Sequence, residues 1–123
     1  MRLWLLIAAV NGFLAVASGA FAAHGLQGRL DAHAFSLWET AARYHMYHAL
    51  AIGLAAFAIR DAAAGAATVA SSFFLAGILL FCGSLYLVST IGVRALAIAT
   101  PVGGVCFLIG WAALAFAAIR LKV

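Results

Sequence analysis

The sequence predicts an all-α integral membrane protein: an antiparallel four-helix bundle with an interfacial extension before its second span. Three observations carry that prediction. Of 123 residues, 68% are hydrophobic and only 8% charged, whereas a soluble domain carries roughly a quarter charged residues to face water. The hydrophobic residues fall into four runs divided by short polar or basic breaks. Small residues recur at helical spacing along three of those runs, as helices that pack within lipid require. The whole chain, 1–123, reads as one membrane domain.

The first span covers about residues 3–23. Its opening resembles a secretory signal, with Arg2, an apolar stretch and small residues around Ala20–Ala22, but the run is long enough to cross and is read as a span. The second span covers about 44–59 and ends at Arg60-Asp61. Asp31 is a good N-cap and nothing after it breaks a helix, so this helix is expected to begin near 32, with Phe35 and Trp38 facing headgroups. Glu39 and Arg43 are spaced for an intrahelical ion pair. The third span covers about 66–89, and the fourth about 101–121, opened by Thr100-Pro101 as an N-cap followed by proline. A continuous helix kinked at Pro101 is the alternative for that last start.

Ala8, Gly12, Ala15 and Gly19 line one face of the first helix. Ala70, Gly77 and Ser84 do so on the third, and Gly103, Cys106, Gly110, Ala113 and Ala117 on the fourth. Such stripes predict close helix contacts, either within the bundle or with a second copy or another membrane protein.

Charge sets the orientation and excludes some functions. The seven basic residues are dispersed, which argues against a nucleic-acid face. Four of them (Arg2, Arg60, Arg120, Lys122) share the side of the termini and three (Arg29, Arg43, Arg94) the other, so both termini are expected in the cytoplasm, with the chain in a bacterial inner membrane. Cys82 and Cys106 lie in apolar runs without a CxxC spacing and read as buried small hydrophobes.

The unusual residues gather toward one membrane side. His24 ends the first helix; Glu39, Arg43, Tyr44, His45, Tyr47 and His48 begin the second; Ser84 and Tyr86 close the third; Thr100 opens the fourth. Antiparallel order puts all ten in the leaflet of the first and third loops. Ionisable groups at membrane depth normally pair or line a cavity, so these residues are the candidate ligand-binding set. His24, His45 and His48 are the only candidates for a metal or haem, and no ExxH or HExxH accompanies them. No cofactor and no catalytic residue is predicted. The readings left open are a site for a lipid, quinone or other small amphiphile, a proton-coupled transporter, a metal- or haem-dependent enzyme, and a hydrogen-bond network that only holds the bundle together.

Four motifs, GAFAAHGL (Gly19–Leu26), TAARYHMYHALA (Thr40–Ala51), GSLYL (Gly83–Leu87) and TPVGGVCFLIGW (Thr100–Trp111), resemble the family called domain of unknown function 423, whose animal relatives are known as transmembrane protein 256. The resemblance covers nearly the whole chain. It implies a four-helix membrane protein, mostly bacterial, and supplies no activity or cofactor.

Overall fold

Four helices follow one another in the computed structural model, which describes residues 1–122. We name them α1 (Arg2–Leu26), α2 (Ala32–Phe57), α3 (Asp61–Ile91) and α4 (Arg94–Arg120). α1, α3 and α4 are long and apolar enough to cross a membrane. α2 has 26 residues, about 39 Å at the usual helical rise, but Arg43, His45 and His48 lower its apolarity.

Short connections force antiparallel neighbours. Gly28 and Gly92 turn the chain with φ of +83° and +69°, and Gly92 ends α3 in the left-handed conformation with its N–H on Val88 O. Asp31 caps α2 as the sequence predicted, its carboxylate accepting from Ala34 N at 2.8 Å. The start of α4 differs from the N-cap expectation. A 3₁₀ turn, Arg94–Ile98, runs straight into the α-helix Ala99–Arg120, so Thr100 lies inside the helix and caps nothing. Pro101 is tolerated because it falls in the first α-helical turn, where its missing N–H has no partner to lose.

Successive helices pack in order, α1 on α2, α2 on α3, α3 on α4, and no comparable seam joins α1 to α4. The core along α2 and α3 is built from Ala41, Ile52, Ala55, Phe74, Ile78 and Cys82, with Phe107 entering from α4. The α3–α4 contact explains two of the small-residue stripes. A Cβ on Gly77 would strike the Phe107 ring, one on Gly110 the Phe74 ring, and one on Gly103 the Phe81 backbone. Each helix therefore offers glycines to the other's aromatics. The α1 stripe behaves differently: Ala15 is buried, but open space faces Gly12 and Gly19.

Two π-helical segments interrupt the regular winding, Ala22–Leu26 at the end of α1 and Ile78–Cys82 within α3. Such insertions disturb the local hydrogen-bond ladder, and Ser84 Oγ donates to Phe81 O at 3.0 Å beside the second.

Candidate functional site

The polar residues of α2 divide according to which neighbour they meet. His45 and His48 stand three positions apart, and each ring uses both nitrogens. Asn11 Nδ2 donates to Ile7 O at 2.8 Å, which leaves its Oδ1 facing His45 Nε2 at 3.1 Å as an acceptor. His45 therefore carries its proton on Nε2, and its Nδ1 accepts from Tyr86 Oη at 3.2 Å. His48 has the opposite arrangement. Its Nδ1–H donates to Tyr44 O at 2.7 Å, and its Nε2 accepts from the Trp111 indole N–H at 3.2 Å. An indole nitrogen only donates and a carbonyl only accepts, so this network fixes the tautomer.

Packing reinforces the pattern. The His48 ring stacks on Phe107 with centroids 3.5 Å apart and planes 7° from parallel. Trp38, expected at the headgroups, instead turns inward: its indole N–H donates to Ser18 O at 2.9 Å and its ring lies 4.5 Å from Tyr86. The gain is a partner for the N–H together with an apolar bed for the ring. Among the described residues, no buried side-chain nitrogen or oxygen lacks a partner.

These partners also give the depth of the histidines. Phe107 is the middle residue of α4, thirteen positions from Arg94 and from Arg120, or about 20 Å from either end. Asn11 stands nine residues from Arg2, about 13.5 Å along α1. Both anchors set His45 and His48 level with the middle stretches of α1 and α4.

The remaining predicted residues lie elsewhere. Ser84 Oγ and Thr100 Oγ1 are 2.6 Å apart and tie α3 to α4. Tyr44 and Tyr47 are exposed beside a groove between α2 and α4. Glu39 and Arg43 are exposed along a shallow depression against Gly19, Ala22 and Ala23 of α1. The predicted Glu39–Arg43 ion pair is absent among the described residues; Arg43 Nη2 donates to Thr40 Oγ1 at 3.5 Å instead. An exposed pair of long side chains gains little from being held together. His24 is exposed in the π-turn of α1. The ten residues thus occupy several separate places, and none of them lines the cavity at the loop end.

That cavity, about 620 Å³, opens at the end carrying the first and third loops. Leu37, Leu85, Val88 and the buried Ser89 line its inner part, and the exposed Asp31, His33 and Arg94 form its rim. Sequence reasoning passed over this rim because Asp31 reads as a cap and Arg94 as a topology signal. Asn11 and Trp111 were also passed over as site residues. Asking what could serve the ring nitrogens of His45 and His48 at membrane depth would have found them.

The ligand set for a metal does not fit. No group of three or more His, Cys, Asp or Glu converges among the described residues, and every ring nitrogen of His45 and His48 would first have to give up its present bond.

The matches to known proteins agree with the architecture. Residues 18–104 match the family described as Protein of unknown function (DUF423). The chain belongs to that family. The UPF0382 membrane protein YwdK of Bacillus subtilis (strain 168) is 41% identical over 121 residues, covering 98% of both chains. A UPF0382 membrane protein of Haemophilus influenzae is 42% identical over 120 residues, covering 97% of this chain and 95% of its own. The UPF0382 membrane protein SAB0533 of Staphylococcus aureus is 41% identical over 120 residues. No solved structure matches. This DUF423 chain is therefore a helical membrane protein of a family without an assigned molecular function.

Proposed function

We propose that this protein is a binding protein of the bacterial inner membrane, crossing it with all four helices and both termini cytoplasmic. It holds one amphiphilic molecule in the cavity at its extracytoplasmic end. The observation that carries this reading is the cavity of about 620 Å³ with a charged rim over an apolar floor, a volume within the usual range for small-molecule sites. Arg94 is exposed at the rim and suits a phosphate or carboxylate head. Asp31 beside it suits an ammonium, and Leu37, Leu85 and Val88 suit the first carbons of a tail.

Native mass spectrometry of delipidated protein, titrated with phosphatidylethanolamine, phosphatidylglycerol and uncharged diacylglycerol, tests the reading. One molecule of a phosphate-bearing lipid is expected to bind. Arg94→Gln should weaken it at least about tenfold, the scale of a lost charge-assisted hydrogen bond, and Leu37→Trp should abolish it by filling the floor. Unchanged one-to-one binding by Leu37→Trp would reject the cavity as the site.

A second reading, an accessory subunit that docks another membrane protein, has one observation in its favour. Open space faces Gly12 beside a nearly all-apolar groove with Ala8, Ala49 and Gly53. Blue-native sizing separates the two: a monomer with bound lipid supports the first reading, and a lipid-free co-purifying partner supports the second.

A further inference from the structure

We infer that the loop-end cavity selects a zwitterionic head, a phosphate linked to a primary ammonium, as an ethanolamine phospholipid carries. The inference rests on the proposed function, in which this cavity binds one amphiphile, and narrows the head it accepts. Two opposite charges, Asp31 and Arg94, share the cavity wall, and no ion pair joins them among the described residues. With His33 neutral, the formal charge of the lining is zero. A singly anionic head placed on Arg94 would also meet the Asp31 carboxylate, and its attraction and repulsion would largely offset each other. A head bearing both charges answers each residue with its opposite. The two helix ends in the lining, the first turn of α2 and Ser89–Gly92 of α3, also carry opposite partial charges. The backbone therefore adds no net charge.

The hydrogen-bonding groups of the lining say why the cation should be a primary ammonium. Ser89 Oγ and Thr90 Oγ1 both spend their protons on Tyr86 O, at 2.9 and 2.8 Å. Toward a ligand these hydroxyls can therefore only accept. Asp31 is held in place by its cap, Oδ1 accepting from Ala34 N at 2.8 Å, and a carboxylate has acceptor capacity well beyond one bond. Three side chains of the lining thus offer oxygen acceptors. Arg94 supplies a donor fork for the phosphate. A primary ammonium brings three N–H donors to those acceptors, whereas a trimethylammonium brings none.

Native mass spectrometry of the delipidated full chain, with an equimolar mixture of dioleoyl phosphatidylethanolamine, phosphatidylcholine and phosphatidylglycerol, reads the selectivity. The ethanolamine lipid should fill the one-to-one complex roughly fivefold to tenfold above either rival, the scale of a charge-assisted hydrogen bond discounted for exposure. Asp31→Asn keeps the cap, because Asn and Asp cap helices about equally well. It should erase the preference and raise phosphatidylglycerol binding, since no carboxylate then opposes the anion on Arg94. Asp61→Asn, at the opposite end of α3, should leave the preference intact. Free phosphoethanolamine, the head without tails, should fail to displace the lipid at equal concentration. Equal filling by the three lipids, with Leu37→Trp still abolishing binding, would overturn the selectivity while the cavity stands as a site. One-to-one binding that survives Leu37→Trp would overturn the cavity and this inference with it. So would the selectivity fall if Asp31→Asn kept the preference, if Asp61→Asn lost it, or if phosphoethanolamine displaced the lipid.

Discussion

His45 and His48 are one helical turn apart on the same helix and are both buried, yet they are held in opposite ways. His45 sits in a polar clasp made by Asn11 of α1 and Tyr86 of α3, with its proton on Nε2. His48 sits in an aromatic clasp made by Phe107 and Trp111 of α4, with its proton on Nδ1. Between them they fasten the central helix to each of the others. The difference teaches how to read ionisable residues at membrane depth. Such a residue marks either a ligand site or a fastening, and what separates the two is whether its polar atoms are free. In both rings they are engaged. The exposed polar groups without such engagement lie elsewhere, on Arg94 at the cavity rim and on the Tyr44 and Tyr47 hydroxyls.

The contrast can be broken from either side. Replacing His48 by Ala removes a stacked ring from a close-packed site and strands the Trp111 N–H, so a loss of about 2–5 kcal/mol is expected. Detergent-induced unfolding followed by circular dichroism measures it. Gly77→Ala acts on the same clasp at one remove, because the added methyl strikes the Phe107 ring that carries His48. About 1–3 kcal/mol is expected from that overpacking, while Gly12→Ala, facing open space, should stay within about 0.5 kcal/mol. His45→Leu should cost least of the clasp substitutions, under about 2 kcal/mol, because hydrogen bonds between membrane helices are individually weak and a similar side-chain volume is kept. A His45→Leu loss larger than that of His48→Ala would reverse the ranking of polar and aromatic fastening.

Much of this was legible in the sequence. Apolar run lengths gave the four helices, and Asp31 followed by an unbroken helical stretch gave the start of α2. The α3 and α4 stripes predicted a close contact that Gly77, Gly103 and Gly110 now make with Phe107, Phe81 and Phe74. The α1 stripe looked the same in sequence, yet spacing cannot say whether a face has a partner, and Gly12 and Gly19 have open space before them. Position along a span was also beyond the sequence: a second span starting near 44 set His45 and His48 toward its outer end, and only their bonds to Asn11 and Trp111 show which levels of α1 and α4 they meet. Trp38 was assigned to the headgroups by residue type, although a carbonyl of α1 was within its reach. Which side chain meets which across two helices is a matter of rotation and register, and neither is written in a single segment.

Selective ¹⁵N-histidine labelling, with resonances assigned by His24, His33, His45 and His48 single substitutions, tests the central claim most directly. Nitrogen shifts distinguish a protonated ring nitrogen from a bare one. At neutral pH His45 should show a protonated Nε2 and a bare Nδ1, and His48 the reverse, each as a single neutral form. Two rings in the same tautomer, or either one exchanging between tautomers, would contradict the account of two opposed fastenings.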